Sequence, residues 1–363
     1  MSKIAFVGNS LQTMCNFRLG VLNALSQLGH EMVVIAPQDC DLFVLHNTAI
    51  RFIPIEMDCK GMNPFHDLQL THRLRKIYRK EQFDMIFHYT IKPVVYGGWA
   101  AAGCHIAHIA VITGLGYTFL RKGWINRIAK CLYRSALRNA QEVWFLNQDD
   151  KTLFVEQNIV ASFKTRVIYG EGVNTDFYQS TNPPTQPFTF LFVGRVLWDK
   201  GIGEFVEAAE AVKKQYPHVQ FHILGQLGAS NPACVTAQQM EEWEKRKIIK
   251  YVGETDNVRP FLSNASCIVL PSYREGVSRV LLEAASMKRP MIATNVPGCK
   301  EIVTDGENGF LCEPQDVTGL AACMMHMLSL SENERITFGE NARKKVCLHY
   351  DEKKIIQRYA NFL

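Results

Sequence analysis

The sequence predicts an α/β protein in which two Rossmann-like domains, each with a parallel β-sheet, face a central cleft. Short apolar runs alternate with helical patterns, which is typical of parallel strands joined by crossover helices. This alternation starts afresh after a proline-rich connector, Asn182–Pro187. A chain of 363 residues also favours about two domains over one core. Because ligands of such sheets bind at the carboxyl ends of the strands, we expect the chemistry in the cleft.

The first domain is predicted to span residues 1–180, and a C-terminal helix at about 350–363 is expected to pack back on it. The domain opens with strand Ile4–Val7 and the turn Gly8–Ser10, and the helical pattern that follows ends at Gly29, a residue suited to terminating a helix. Further strands are predicted at Met32–Ala36, Asp84–Phe87, His108–Ile112 and Glu142–Leu146, and helices at about 66–81, 93–103 and 123–138.

The second domain is predicted to span residues 188–349 and begins with a new apolar strand, Phe188–Val193. Its further strands are predicted at 219–224, 248–252, 267–270 and 290–293, and its helices at about 201–216, 236–245, 257–264 and 276–287.

The composition indicates a soluble globular protein, because 47% of the residues are hydrophobic and 21% are charged. The N-terminus lacks the apolar core of a signal peptide, and no apolar stretch is long enough to span a bilayer, so we expect a cytoplasmic protein. The eleven cysteines form no CxxC motif, which favours reduced thiols over a zinc site or a disulfide framework.

The positive charge is concentrated in the first half of the chain. Residues 1–180 contain 19 Lys and Arg against 14 Asp and Glu, whereas the rest of the chain is balanced. This asymmetry suggests an anionic partner for the first domain.

A candidate anion site lies at Gly194–Gly201, between a predicted strand and a predicted helix. Backbone N–H groups and the positive helix end converge at such a corner, and Arg195 and Lys200 add two cations. This arrangement suits a diphosphate whose charge grows as it leaves. The alternative is an ordinary surface loop with two solvated cations.

Two glutamates, Glu275 and Glu283, lie eight positions apart after the apolar run Ile268–Ser272. A loop carboxylate at Glu275 can accept hydrogen bonds from sugar hydroxyls, and Glu283 could hold a ribose diol with both oxygens. The backbone N–H groups of Val277, Ser278 and Arg279 are expected to point at the phosphates. Chance spacing is the alternative.

Taken together, these residues resemble the retaining glycosyltransferases of family four, which have the GT-B fold. The family's Arg-x4-Lys pair matches Arg195 and Lys200, and its Glu-x7-Glu pair matches Glu275 and Glu283. Two further segments are typical of the family, Pro297–Glu301 and Asp305–Leu311. The resemblance implies that the cations bind the donor diphosphate, that Glu275 binds the sugar and that Glu283 binds the ribose. Ser278 departs from the pattern, since relatives often have proline there.

The implied catalytic residues are Glu275, Arg195 and Lys200, and the implied donor-binding residues are Gly8, Gly194, Arg195, Lys200, Glu275, Gly276, Val277, Ser278 and Glu283.

The first domain resembles bacterial enzymes that extend sugars on polyprenyl-diphosphate carriers, and among them the N-acetylgalactosaminyltransferases of lipid-linked oligosaccharide assembly. The resemblance rests on Asn16–Arg18, Tyr89–Pro93 and Ile112–Gly116. The implied acceptor-binding residues are Asn16, Arg18, Tyr89, Lys92, Thr113 and Gly114. Arg18 and Lys92 are expected to hold the acceptor diphosphate, because fixed cations suit phosphates. The alternative is that both are structural or solvent-facing cations.

A basic amphipathic helix is predicted between Thr118 and Ala140, which contains six basic residues and no acid. Apolar residues are interleaved with the basic ones at helical spacing, namely Trp124, Ile125, Ile128, Leu132 and Tyr133, and a second basic run lies at His72–Lys80. Such helices can lie in anionic headgroups, so we expect peripheral attachment to the inner face of the plasma membrane. The alternative is that each helix packs its apolar face on its own sheet.

Other site types fit the sequence poorly. Asp39 and Asp41 form a DxD-like pair, but turn carboxylates are common, and no metal is expected because cations already neutralise the leaving group. The histidines lack zinc-hydrolase spacing, and Gly8–Ser10 is not a dinucleotide-binding motif. The basic residues accompany amphipathic helices, so nucleic-acid binding is not expected.

The sequence therefore predicts a metal-independent, retaining transferase without a cofactor. It would move a hexose or N-acetylhexosamine, most favourably N-acetylgalactosamine, from a UDP-sugar to an undecaprenyl-diphosphate-linked saccharide. The two alternatives are a UDP-sugar 2-epimerase, which would need no acceptor, and a non-catalytic scaffold that binds sugars or lipids.

Overall fold

The computed structural model of the protein describes residues 1–46, 48–58, 61, 63–115, 123–184, 186–228 and 233–363. The chain divides into two compact units. The first unit contains Met1–Glu171 and Glu352–Leu363, and the second contains Gly172–Asp351. Each unit is built on one parallel sheet, so the prediction of two Rossmann-like α/β domains is confirmed.

The first unit alternates strands and helices as a doubly wound domain does. Its strands are β1 (Lys3–Val7), β2 (Glu31–Ala36), β3 (Arg51–Pro54), β4 (Met85–Tyr89), β5 (Ala107–Ile112), β6 (Glu142–Phe145) and β7 (Thr165–Val167). Its helices are α1 (Leu11–Gln27), α2 (Pro64–Glu81), α3 (Gly98–Ala102), α4 (Trp124–Leu137) and α5 (Gln148–Glu156). Shorter helical turns lie at Leu42–Leu45, Pro93–Gly97 and Ser162–Lys164.

The strands described in the first unit are ordered β3-β2-β1-β4-β5-β6-β7, and each pair is parallel. The strand order reverses between β1 and β4, where Phe6 is in register with Phe87 and Val7 with His88. A crevice forms at the carboxyl ends of two strands that diverge in this way. The residues after β1 and β4 are therefore placed for ligand binding.

The second unit repeats the same arrangement. Its strands are β8 (Thr189–Val193), β9 (Gln220–Leu224), β10 (Lys250–Tyr251), β11 (Cys267–Leu270), β12 (Met291–Thr294) and β13 (Gly309–Cys312). Its helices are α6 (Ile202–Gln215), α7 (Ala237–Lys245), α8 (Arg259–Ser263), α9 (Arg279–Ser286), α10 (Val317–Ser329) and α11 (Glu332–His349). A short helical turn, Trp198–Lys200, precedes α6.

The strands described in the second unit are ordered β10-β9-β8-β11-β12-β13. All of β8 is buried, and so is all of β11, because helices cover both faces of a parallel sheet. The order reverses between β8 and β11. The segments that follow these two strands, from Gly194 and from Pro271, therefore meet at the switch point of the second sheet.

The last helix, α12 (Glu352–Phe362), belongs to the first unit. Its Tyr359 is fully buried against Phe6, Phe87 and Trp144, with ring centroids 5.0 to 5.8 Å apart. The Tyr359 hydroxyl also lies 2.9 Å from that of Tyr89. This aromatic cluster attaches the C-terminal helix to the same face of the sheet as α1.

The observed division of the chain falls between Glu171 and Gly172, ahead of the predicted boundary at 180. The intervening segment is hydrogen-bonded within the second unit: Val173 donates its N–H to the Tyr350 carbonyl, and the Tyr178 hydroxyl donates to Glu283. Tertiary hydrogen bonds of this kind leave no signal in local composition.

Three strands and several helices were not anticipated from the sequence. They are β3, β7, β13, α5, α10 and α11. β3 and β7 are edge strands of four and three residues, which is too short for a clear period of two. None of the helices in the described parts of the chain combines the length and the apolar character that crossing a bilayer requires.

Candidate active site

The Lys200 ammonium and the Glu275 carboxylate form an ion pair at the switch point of the second sheet. Nζ of Lys200 donates to Oε1 of Glu275 over 2.6 Å, and the two side chains are only 14% and 16% exposed. Lys200 ends the short turn after β8, and Glu275 lies in the loop after β11. Two residues 75 positions apart in the chain are thus joined because their strands are neighbours in the sheet.

Gly201 allows the backbone around Lys200 to approach the end of β11. It has a φ of +73°, and a Cβ atom there would lie 2.0 Å from the Pro271 carbonyl oxygen. The same contact is reinforced by the Tyr273 N–H, which donates to the Asp199 carbonyl over 3.0 Å. This close approach sets the position of the Lys200 side chain relative to the loop that contains Glu275.

Glu275 is held from its other side by the turn that begins at Pro297. The Glu275 N–H donates to the Pro297 carbonyl over 3.2 Å. Gly298 has a φ of +83°, and a Cβ atom there would lie 2.7 Å from the backbone of Glu275. The Glu301 carboxylate in turn accepts from the Gly298 N–H over 2.7 Å. Through these contacts the segment Pro297–Glu301 supports the loop that contains Glu275.

The ion pair leaves unused hydrogen-bonding capacity for a ligand. An ammonium has three N–H donors, and within the described residues Lys200 gives only one of them, to Glu275. Arg195 is exposed, and its guanidinium has no partner among the described residues. The corner after β8 therefore offers a bidentate cation and two ammonium N–H groups, which suits phosphate oxygens.

Helix α9 begins later than the predicted 276–287, because Ser278 is its N-cap and Arg279 its first residue. Gly276 and Val277 lie in the preceding loop. The Ser278 N–H donates to the Gly298 carbonyl over 3.0 Å, so this amide is used within the fold. The expectation that the Ser278 N–H points at the phosphates is corrected accordingly.

Glu283 makes contacts within the protein that the sequence did not suggest. It is buried, its Oε1 accepts from the Tyr178 hydroxyl over 3.0 Å, and the same oxygen lies 3.3 Å from Nε of Arg279. Burial raises the pKa of Glu283, while Arg279 and Tyr178 oppose the rise. Oε1 thus already accepts one hydrogen bond within the protein, and the role of Glu283 at a ribose stays a prediction.

Arg18 and Tyr89 are buried in the first unit. The Arg18 guanidinium lies 2.8 Å from Glu171 and is stacked over the Tyr89 ring at 4.1 Å. The Tyr89 hydroxyl is 2.9 Å from that of Tyr359. Arg18 was expected to be a free cation for the acceptor diphosphate, but its charge is compensated, and the geometry favours the structural alternative.

Lys92 is in a similar position. Its ammonium donates to Oδ1 of Asp67 over 2.7 Å, and both side chains are 10% exposed. The Tyr96 hydroxyl donates to the other oxygen of Asp67 over 2.8 Å. The Lys92 ammonium is thus held by a carboxylate 25 positions away in the chain, which the local sequence does not show, and its expected role at a phosphate stays a prediction.

The other predicted residues of the first unit lie around the carboxyl edge of its sheet or on α1. Gly8 directly follows β1, and its N–H donates to the Ile35 carbonyl over 3.0 Å. Asn16 is exposed on α1, and Thr113 and Gly114 are half-buried after β5. Gly116, at the end of the same motif, lies outside the described residues, as do Arg121 and Lys122 of the basic segment.

Thr90 is a further residue of the site region, and its sequence carries no functional signal of its own. It follows β4 at the switch point of the first sheet and has a φ of +68°, which is rare for a β-branched residue. Its Oγ1 is buried and has no hydrogen-bond partner among the described residues. Strained residues of this kind concentrate at functional sites. Only its place in the Tyr89–Pro93 motif could have drawn attention to it.

The DxD-like pair has a structural role. Asp39 accepts from the Gln12 N–H, and Asp41 caps the turn Leu42–Leu45 by accepting from the Phe43 N–H, both over 3.0 Å. In the parts of the chain that the structure describes, no group of three or more His, Cys, Asp or Glu residues is placed to hold a metal ion.

Two family models together match most of the chain. Residues 19–177 match the model described as Glycosyltransferase Family 4, and residues 173–345 match that described as Glycosyl transferases group 1. The chain is a glycosyltransferase with a GT-B fold, and its two parts match glycosyltransferase models of family four and of group 1. The second match contains the whole Lys200–Glu275 corner.

The similar proteins include enzymes named for lipid-linked acceptors. An N,N'-diacetylbacillosaminyl-diphospho-undecaprenol alpha-1,3-N-acetylgalactosaminyltransferase of Campylobacter jejuni is 26% identical over 375 residues, covering 98% of this chain and 97% of its own. A UDP-Gal:alpha-D-GlcNAc-diphosphoundecaprenol alpha-1,3-galactosyltransferase of Escherichia coli is 23% identical over 82% of both chains. The Anabaena protein HepE in complex with UDP-glucose has a TM-score of 0.81 at 18% identity over 100% of this chain and 99% of its own, which supports the fold.

Replacing Lys200 tests whether the ion pair serves the reaction. In Lys200→Met, kcat/KM for glycosyl transfer is expected to fall by about 100-fold or more, because a preorganised charged donor for the leaving group is lost. The melting temperature should fall as well, since Glu275 is left unpaired in a mostly buried position. Steady-state kinetics and thermal melting measure the two effects.

The matched control is the double variant Lys200→Met/Glu275→Gln, which removes both charges. It should regain melting temperature without regaining transfer. If the double variant recovered both, the pair would serve stability alone.

Proposed function

We propose that this glycosyltransferase moves a hexose or N-acetylhexosamine from a UDP-sugar to an undecaprenyl-diphosphate-linked saccharide, with retention of the anomeric configuration. The observation that carries the proposal is the Lys200–Glu275 contact of 2.6 Å, with Arg195 on the same corner and without a partner among the described residues. The two cations suit the diphosphate of the donor, and the neighbouring carboxylate suits the hydroxyl groups of its sugar.

In the proposed reaction the acceptor hydroxyl attacks the anomeric carbon from the face that the diphosphate leaves. The new carbon–oxygen bond forms as the bond to the β-phosphate oxygen breaks, and that oxygen takes the electron pair and then the hydroxyl proton. Arg195 and Lys200 stabilise the growing charge, and Glu275 orients the sugar through its hydroxyls. We propose that these cations make a metal ion unnecessary.

The names of the relatives support the choice of substrates. The Campylobacter jejuni relative, which this chain matches over nearly its whole length, is named as an N-acetylgalactosaminyltransferase for an undecaprenyl-diphosphate-linked sugar. The Escherichia coli relative is named for UDP-Gal and a diphosphoundecaprenol acceptor. UDP-N-acetylgalactosamine is therefore the favoured donor.

A donor panel tests the proposal. Purified protein is incubated with UDP-galactose, UDP-N-acetylgalactosamine, UDP-glucose or UDP-N-acetylglucosamine and a synthetic undecaprenyl-diphosphate N-acetylhexosamine, with no divalent metal and with EDTA present. We expect one donor to give a disaccharide product, and the coupling constant of its anomeric proton should show the α configuration of the donor. Lys200→Met serves as the inactive control.

Two outcomes would contradict the proposal. Conversion of a UDP-sugar without any acceptor would indicate epimerase chemistry, and a β-linked product would exclude retention.

We further propose that the protein is peripheral on the anionic inner face of the plasma membrane, through helix α4. The alternative from the sequence was that α4 packs its apolar face on its own sheet, and Tyr133 and Leu132 do pack on the core of the first unit. In the structure the buried face of α4 carries Ala129, Tyr133, Ala136 and Leu137. Trp124, Ile125 and Ile128 are instead 70%, 39% and 50% exposed.

Positive charge accompanies these apolar side chains. Arg127 and Arg138 are exposed on the described part of the basic segment, which contains no acid before Glu142. Each basic residue near an anionic surface contributes about 1 kcal/mol. The exposed aromatic and aliphatic groups add burial in the headgroup region. Both contributions favour a cytoplasmic protein that lies on the membrane.

The variant Trp124→Ser/Ile128→Ser tests the membrane proposal. Its binding to sedimented vesicles that contain phosphatidylglycerol should be weaker by about 10-fold, because two apolar side chains are lost from the contact. Phe43→Ser is the matched control, since Phe43 is 72% exposed and follows β2, whereas α4 joins β5 to β6 on the other side of β1 and β4 in the strand order. Equal binding to phosphatidylcholine vesicles, or an equal loss in the control, would contradict the proposal.

A further inference from the structure

A cavity of about 830 Å³ lies at the edge of the first unit's sheet, and no step of the proposed reaction uses it. Its walls come from the loop after β2, the segment from Pro54 to Asp58 at the end of β3, and the first half of α2. The volume is within the range of pockets that enclose drug-sized ligands. It opens at the carboxyl ends of β2 and β3, the edge at which parallel sheets bind ligands.

Three polar side chains line the cavity without partners. Gln38, His66 and Gln69 are exposed, and none of them has a hydrogen bond or ion pair among the described residues. Two amides and an imidazole provide donors and acceptors together. They match ligand groups that both donate and accept, as hydroxyl and acetamido groups do.

The charged residues of the cavity disfavour an anionic ligand. Glu56, Asp58 and Asp67 line it against a single described cation, Arg73, and Arg73 is paired with Glu56 over 2.9 Å. Asp67 is fixed by Lys92. A phosphate entering this cavity would meet carboxylates with no free cation to offset them. The cavity is thus an acidic site, although the first half of the chain has a net positive charge.

The carboxylates fit a neutral polyhydroxylated ligand. A carboxylate has about four lone-pair sites, and Asp67 uses two of them for Lys92 and Tyr96, with distances of 2.7 and 2.8 Å. Its remaining lone pairs can accept from sugar hydroxyls, and the two bonds already present hold the group in one orientation. The buried Ile55 and Leu70 supply apolar wall for the C–H faces of a sugar ring.

Exposed apolar side chains stand beside the cavity on the same helix. Phe65 and Leu68 are 78% and 68% exposed and are the sequence neighbours of His66 and Gln69. A polar cavity next to an apolar rim suits a ligand with a saccharide head and a lipid tail. The saccharide can contact the polar walls, and the lipid can contact the exposed apolar side chains.

We propose that this cavity binds the neutral saccharide of the lipid-linked acceptor and not its diphosphate. The inference rests on the proposed function for the identity of the acceptor, and it replaces the phosphate role expected of Lys92. In it, Lys92 and Tyr96 are positioning residues for Asp67, and Gln38 and Gln69 contact the sugar.

The double variant Gln38→Ala/Gln69→Ala tests the site. Both side chains are exposed and have no partners in the described parts of the chain, so the melting temperature should be unchanged. We expect KM for the undecaprenyl-diphosphate acceptor to rise by about 10-fold or more, with kcat and the KM for the UDP-sugar unchanged. The matched control is Gln141→Ala, an exposed glutamine after α4 and outside the cavity.

A binding measurement separates this site from the reaction. In saturation-transfer NMR without any donor, a panel of methyl N-acetylhexosaminides is expected to give signals with the wild type and with Gln141→Ala that are lost in the double variant. Inorganic pyrophosphate should not compete for these signals.

Three outcomes would overturn the inference: an unchanged acceptor KM in the double variant, signals that persist in it, or competition by pyrophosphate. A wild type that binds the glycosides but transfers no sugar would instead count against the proposed function alone.

Discussion

The ion pair between Lys200 and Glu275 is the interaction on which the account of this enzyme depends. It joins the first and fourth strands of the second unit at the point where their order reverses, and only the turns at Gly201 and Gly298 let the backbones come close enough. The pair holds a cation in one orientation in a site with little solvent. A leaving diphosphate therefore meets a cation that is already in position. In water, by contrast, the solvent would have to reorganise around the growing charge.

The sequence predicted this corner because its signals are local. Arg195 and Lys200 lie directly after a buried strand, and Glu275 follows another, so the rule that parallel strands bind ligands at their carboxyl ends was sufficient. The contact between Lys200 and Glu275 was not predicted. The contact depends on which strands are neighbours in the sheet and on a turn near residue 298. Neither can be inferred from the spacing of Lys200 and Glu275 in the sequence.

The sequence did not show which of the predicted site residues already have partners within the protein. Arg18, Lys92 and Glu283 each have an oppositely charged or hydroxyl partner, and for Arg18 the partner Glu171 is far away in the chain. A single sequence shows a cation but not the carboxylate that neutralises it. For the same reason the net positive charge of the first half gave no hint of an acidic cavity beside α2.

A crystal structure with UDP measures the central claim most directly. The account predicts that the diphosphate lies at the corner after β8, within hydrogen-bond distance of the Arg195 guanidinium and the Lys200 ammonium, with Glu275 facing the position of the sugar. A diphosphate bound away from both cations, with the Lys200–Glu275 pair unchanged and remote from the nucleotide, would contradict it.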